Sequence, residues 1–132
     1  MSGWGLTQFG GISDRLKVAQ VPLVDHEYCT EKVERHCDYY VTEDMICFGG
    51  SGTDACGGDS GGPLTCTKTG QASTGRQGQR YLCGLVSWGF DCIPSKGHIP
   101  GLYTDVARFV GWISKFMATW ARHHRSKPVF LP

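Results

Sequence analysis

The ten residues Asp54-Ala55-Cys56-Gly57-Gly58-Asp59-Ser60-Gly61-Gly62-Pro63 set a hydroxyl nucleophile between pairs of glycines. A serine hydroxyl reacts poorly until a base takes its proton and nearby donors stabilise the oxyanion that follows its attack. Gly57 and Gly58 permit backbone conformations in which two amide N–H groups point at one spot, and Gly61 and Gly62 keep bulk away from an incoming carbonyl. Read instead as the nucleophile elbow of an α/β-hydrolase, with Asp91 or Asp105 and then His123 as partners, the segment would need a helix directly after Ser60. Gly61, Gly62 and Pro63 argue against that helix. The near match of Gly50-x-Gly52-x-x-Ala55 to a dinucleotide fingerprint fails on the same ground.

Around this segment the chain reads as strands with one helix at the end. Residues 49–62 carry glycine at 49, 50, 52, 57, 58, 61 and 62, so turns rather than ladders shape the backbone there. Residues 63–67 and 81–88 read as two strands of a hairpin, joined by a polar loop over 68–80. Residues 16–24 (LKVAQVPLV) predict a strand with Pro22 at an edge or end. Short strands are expected at 46–48 and 101–104, and a helical turn around 29–35. Phe109, Ile113, Phe116, Met117 and Trp120 recur at spacings of three and four, the pattern of a helix with one buried face. Residues 1–120 then form one domain, and 121–132 a basic, frayed tail.

Composition agrees with a small, mostly β domain. A chain of 132 residues with 40% hydrophobic content has room for one modest core. Nineteen Gly and six Pro favour turns over a helical bundle. No run approaches the roughly 18–20 apolar residues of a membrane helix. Thirteen basic against twelve acidic residues, a net charge of +1, gives no footprint for nucleic acid. Seven Cys without a C-x2-C pair suit an oxidising, secretory setting rather than zinc. The opening MSGWGLTQFGGIS has neither a basic leader nor an apolar stretch, and the cysteine count is odd. Both fit a downstream piece of a longer secreted protein. The sequence has no Asn to accept N-glycosylation, and no metal or organic cofactor is expected.

Four segments, Ser2-Gly3-Trp4-Gly5, residues 54–64, Val86-Ser87-Trp88-Gly89 and Pro100-Gly101-Leu102-Tyr103-Thr104-Asp105-Val106, occur in the order and near the spacing of a known family. Over residues 2–120 the chain resembles the trypsin-like branch of the chymotrypsin family of serine proteases. The resemblance implies the C-terminal β-barrel half of a double-barrel fold, ending in an α-helix. It implies that Ser60 is the nucleophile, that the Gly58 and Ser60 amides form the oxyanion hole, and that Asp54 sits at the base of the primary specificity pocket. A carboxylate there pairs with Arg or Lys, so cleavage after those residues is expected. Ser87, Trp88 and Gly89 would wall the pocket and offer backbone to an extended substrate, and Gly101 would leave the opposite wall open. Protein or peptide substrates containing Arg or Lys are the implied partners, with protease inhibitors beside them.

The resemblance further implies disulfides Cys56–Cys92 and Cys29–Cys47. The family partner of Cys66 lies upstream of Met1. Cys37 and Cys83 can then pair with each other, pair with Cys66, or stay reduced, and Cys66 with Cys83 would cross the predicted hairpin. Asp91, Cys37 and the longer loops at 29–47 and 92–100 depart from the family pattern. The family's catalytic His and Asp precede the Ser and belong to an N-terminal barrel absent from this sequence. His26, His36, His98, His123 and His124 all lack the Ala-His-Cys setting. The chain is therefore expected to be catalytically incomplete alone, with its barrel-packing face open to water. The alternative is a non-catalytic binding module retaining the Asp54 pocket. In active members Asp59 pairs with an ammonium created by chain cleavage. Here it is expected to turn outward or find a substitute, with a zymogen-like nucleophile loop.

Overall fold

Short strands that bury Cys47, Phe48, Leu64, Cys83, Leu102 and Tyr103 build the core, seen in a computed structural model that describes residues 1–68, 78–90 and 99–123. In chain order these are β1 (Ser2–Gly3), β2 (Lys17–Val18), β3 (Leu23–Val24), α1 (His26–Glu34), β4 (Met45–Phe48), β5 (Pro63–Thr67), β6 (Arg80–Trp88), β7 (Gly101–Asp105) and α2 (Val106–His123). Among the described residues β3-β4-β7-β6-β5 pair as one antiparallel sheet and β1-β2 as a separate ribbon. The expected mostly-β fold with a terminal helix is present. The described strand pairs form open sheets rather than a closed barrel.

The expected strand over 16–24 is two strands in different sheets. Pro22 falls between them, without an N–H for a ladder, and its carbonyl accepts the Gly49 amide at 2.9 Å. The helical turn near 29–35 is a full nine-residue helix, started by Asp25, whose carboxylate accepts from the Glu27 and Tyr28 amides at 3.0 and 3.1 Å. Cys29 and Val33, four apart, bury one face of α1 against Cys47, Val41 and Leu102. A second cluster joins Phe48, Leu64, Cys83 and Tyr103, with Phe48 and Tyr103 edge to face at 5.7 Å. Each buried Val, Leu or Phe among them contributes about 1.5–3 kcal/mol.

Cys29 and Cys47 are disulfide-bonded, as are Cys66 and Cys83, which bridge β5 and β6; Cys37 is the free cysteine among the described residues. The open question over Cys66 is thus resolved within the hairpin. Cys56 is disulfide-bonded. Its expected partner Cys92, together with Asp91, His98 and His124, lies outside the described residues.

One expectation is met only in part. The apolar face of α2 is buried only in part: Phe109 and Ile113 are half-buried, whereas Phe116 is 60% and Met117 63% exposed. The periodic pattern marks a face built to be covered, and Phe116 and Met117 carry it onto the exposed surface. The helix also continues through 121–123, into the segment read as tail.

Candidate active site

Asp59 knots the Ser60 turn to the N-terminal segment. Its Oδ1 accepts from the Gly5 amide at 2.7 Å and its Oδ2 from the Cys56 amide at 3.0 Å. Its own N–H donates to the Cys56 carbonyl at 2.9 Å, and its carbonyl accepts from Gly62 at 2.8 Å. A side chain at Gly3 or Gly5 would run into the Asp59 carboxylate, which is why glycine flanks Trp4. Asp59 is half-buried, its carboxylate held by these two neutral backbone donors.

The turn itself requires glycine at Gly58, whose φ of 96° is a region that L side chains rarely enter. Among the described residues neither the Gly58 nor the Ser60 amide donates to a protein acceptor, and Ser60 is exposed with its hydroxyl making no hydrogen bond. Three residues on, the chain enters β5 as a strand, so the helix that an α/β-hydrolase elbow requires is absent at this point. The turn is laced to β6: Gly61 donates to the Val86 carbonyl at 2.8 Å and Val86 to the Gly62 carbonyl at 2.9 Å.

This lacing brings β6 alongside Ser60. A register shift between Val86 and Trp88 interrupts the β6–β7 ladder at Ser87. Asp54, Ser60, Ser87, Trp88, Gly89 and Gly101 all line one cavity of about 310 Å3. That volume lies at the small end of ligand sites, which run from roughly 300 to 1,000 Å3. Gly89 and Gly101 face each other, a Cβ on Gly89 lying 3.6 Å from the Gly101 Cα.

Asp54 is half-buried in that cavity. Burial pushes its carboxyl up, against the opposing pull of the Ala55 amide, which donates at 2.7 Å, and of the Tyr103 hydroxyl and Gly101 amide. The Tyr103 hydroxyl lies 3.4 Å from Asp54 Oδ1 and 3.1 Å from the Met1 sulfur. Burial, and then the Asp54 charge, holds Tyr103 far above the usual phenol range, so it stays a neutral donor. A partly desolvated carboxylate with one neutral side-chain partner favours a cation.

Sequence reading assigned no role to Tyr103 or Phe90, both of which line the cavity. The signal for Tyr103 was its spacing: Gly101 and Tyr103 are two apart on β7 and share a face, and both meet Asp54. Phe90 packs on Trp88 at 5.9 Å, and Tyr39, from the long loop after α1, packs on Trp88 at 5.6 Å. The described histidines are engaged elsewhere: the His36 and His123 rings bond the Lys32 and Thr119 carbonyls, and His26 opens α1.

A family model described as Trypsin matches residues 1–113. The chain is 40% identical over 121 residues to Trypsin eta of Drosophila melanogaster, covering 87% of this chain and 38% of that protein. It is 36% identical over 115 residues to Trypsin iota of the same organism, covering 87% of this chain and 40% of that protein. The chain thus spans about two fifths of the length of these curated relatives.

Proposed function

This chain belongs to the trypsin family, and from that membership we propose that it is the nucleophile- and pocket-bearing part of a secreted serine endopeptidase cleaving after Arg or Lys. The observation that carries the proposal is the cavity shared by Ser60 and the Asp54 carboxylate. A guanidinium or ammonium entering it would meet Asp54 with Tyr103 behind, and a scissile carbonyl at the mouth would meet Ser60.

In this reading Ser60 Oγ bonds to the carbonyl carbon while its proton passes to a base carried on polypeptide upstream of Met1. The oxyanion is held by the Gly58 and Ser60 amides. The C–N bond then breaks, the amine leaving with that proton, and water hydrolyses the acyl-enzyme to regenerate Ser60. The disulfides Cys29–Cys47 and Cys66–Cys83 support an oxidising, extracellular setting.

Titration with benzamidine, a mimic of the arginine side chain, tests the pocket. Binding that disappears in Asp54→Asn is expected; no binding, or binding indifferent to that substitution, would overturn it. A second reading, a binding module without catalysis, draws on the His36 and His123 rings being spent on their own helices. A serine-directed phosphonate separates the two: rapid labelling of Ser60 indicates a competent base, and benzamidine binding without labelling favours the module.

A further inference from the structure

We infer that the Tyr39–Tyr40 pair is a sulfation site, an acceptor for a tyrosyl-protein sulfotransferase of the secretory route, and this rests on the extracellular reading above. The chain has five Tyr. Three of them lie in acidic stretches: Tyr28 among Asp25, Glu27 and Glu31, and the Tyr39–Tyr40 pair among Glu34, Asp38, Glu43 and Asp44. An enzyme that delivers an anionic donor to a phenol works through a cationic cleft, so acidic flanks draw the acceptor in. Tyr81 follows Arg80 and has no carboxylate within five residues, and Tyr103 is buried in the core.

Local structure separates the two acidic stretches. Tyr28 sits inside α1, its ring capped by the Lys32 ammonium 5.2 Å from the centroid, and Cys29 beside it is tied to Cys47. Tyr39 and Tyr40 lie in the loop between α1 and β4 and are 68% and 77% exposed, against 46% for Tyr28. Among the described residues neither phenol hydroxyl of the pair makes a hydrogen bond, and no backbone hydrogen bond engages residues 38–41. The loop is pinned instead by Val41, buried with Cys29 and Val33. A segment whose backbone is free can be gripped as an added strand, whereas a helix must first unwind. Arg35 is paired with Glu31 and Glu43 with Arg108, which leaves Asp38, directly before the pair, as the nearest carboxylate without an ion pair among the described residues.

The step needs no oxidant or reductant. The phenol oxygen attacks the sulfur of an activated sulfate, a mixed phosphate–sulfate anhydride of a nucleotide. The ester O–S bond forms as the anhydride O–S bond breaks, the nucleotide leaves as its phosphate, and the phenol proton passes to a base of the transferase. Tyr39 packs on Trp88 at 5.6 Å, and Trp88 lines the cavity that holds Asp54. A sulfate on the pair therefore adds a permanent negative charge beside a pocket that favours cations.

Incubation of the whole, disulfide-intact chain with a tyrosyl-protein sulfotransferase and its labelled sulfate donor, followed by peptide mapping, tests this. Label is expected on the peptide carrying Tyr39 and Tyr40 and not on those carrying Tyr28, Tyr81 or Tyr103, and it should vanish in Tyr39→Phe with Tyr40→Phe. Asp38→Asn, a change at an exposed residue, should slow labelling about fivefold. No labelling, labelling chiefly at Tyr28, or labelling of Asp38→Asn at the wild-type rate would overturn the assignment. Transferase and donor are supplied in solution and no pocket ligand is used, so the result stands apart from the extracellular reading and from benzamidine binding at Asp54.

Discussion

Gly101 leaves no space for a methyl group beside Asp54: a Cβ built on Gly101 lies 3.0 Å from the Asp54 Cγ and closer still to Oδ1. Gly101→Ala must therefore displace the carboxylate at the floor of the cavity. Benzamidine affinity is expected to fall at least tenfold by calorimetry, with a stability loss of about 1–3 kcal/mol from overpacking.

Asp54 trades stability for charge. Burial raises its carboxyl above its ordinary value of 3.8. A raised native value means that its contribution is favourable below the unfolded value and is lost as pH rises through the native one. Asp54→Asn should remove that loss, stabilising the protein near pH 7 by about 1 kcal/mol while abolishing benzamidine binding. Urea unfolding of both proteins between pH 3 and 8 checks the sign. Benzamidine binding to the wild type should strengthen with pH over the window in which Asp54 ionises.

Neighbouring glycines of the Ser60 turn should differ. Gly58 has a φ of 96° and Gly57 an ordinary one, its added Cβ meeting only the flexible Leu6 side chain, nearest at Cδ1, 3.2 Å away. Gly58→Ala is expected to cost about 1–2 kcal/mol and Gly57→Ala about 0.5 kcal/mol or less, by denaturant titration.

The Cys66–Cys83 disulfide closes a separation of 17 residues. Replacing both by Ala should cost about 3 kcal/mol. Cys37→Ser should change stability by about 0.5 kcal/mol or less, and alkylation of the native protein followed by peptide mapping should find label on Cys37.

The exposed part of the α2 apolar face should govern solubility. Phe116→Lys with Met117→Lys is expected to leave the melting temperature within a few degrees of wild type while reducing binding of an apolar dye and self-association by light scattering. A large drop in melting temperature would mean that the face is packed in solution.

Much of the scaffold was legible in local pattern. β5 and β6 follow from short strand-like runs either side of a polar loop and α2 from spacings of three and four, and the residues that the motifs singled out, Asp54, Ser60, Ser87, Trp88, Gly89 and Gly101, line one cavity. What the sequence hid depends on register between distant strands. Tyr103 acquires its position from the carboxylate across from β7, a relation that leaves no local trace. The exposure of Phe116 and Met117 was hidden differently, because an amphipathic pattern announces a partner without saying which polypeptide carries it.

The paired bonds between Val86 and the Gly61–Gly62 backbone work as a gauge block. In the proposed enzyme they fix the span from the bond under attack to the anchored cation before any proton acceptor arrives. Exchanging the upstream portion among relatives would then alter how fast the protein turns over, while the residue after which it cuts would travel with this piece.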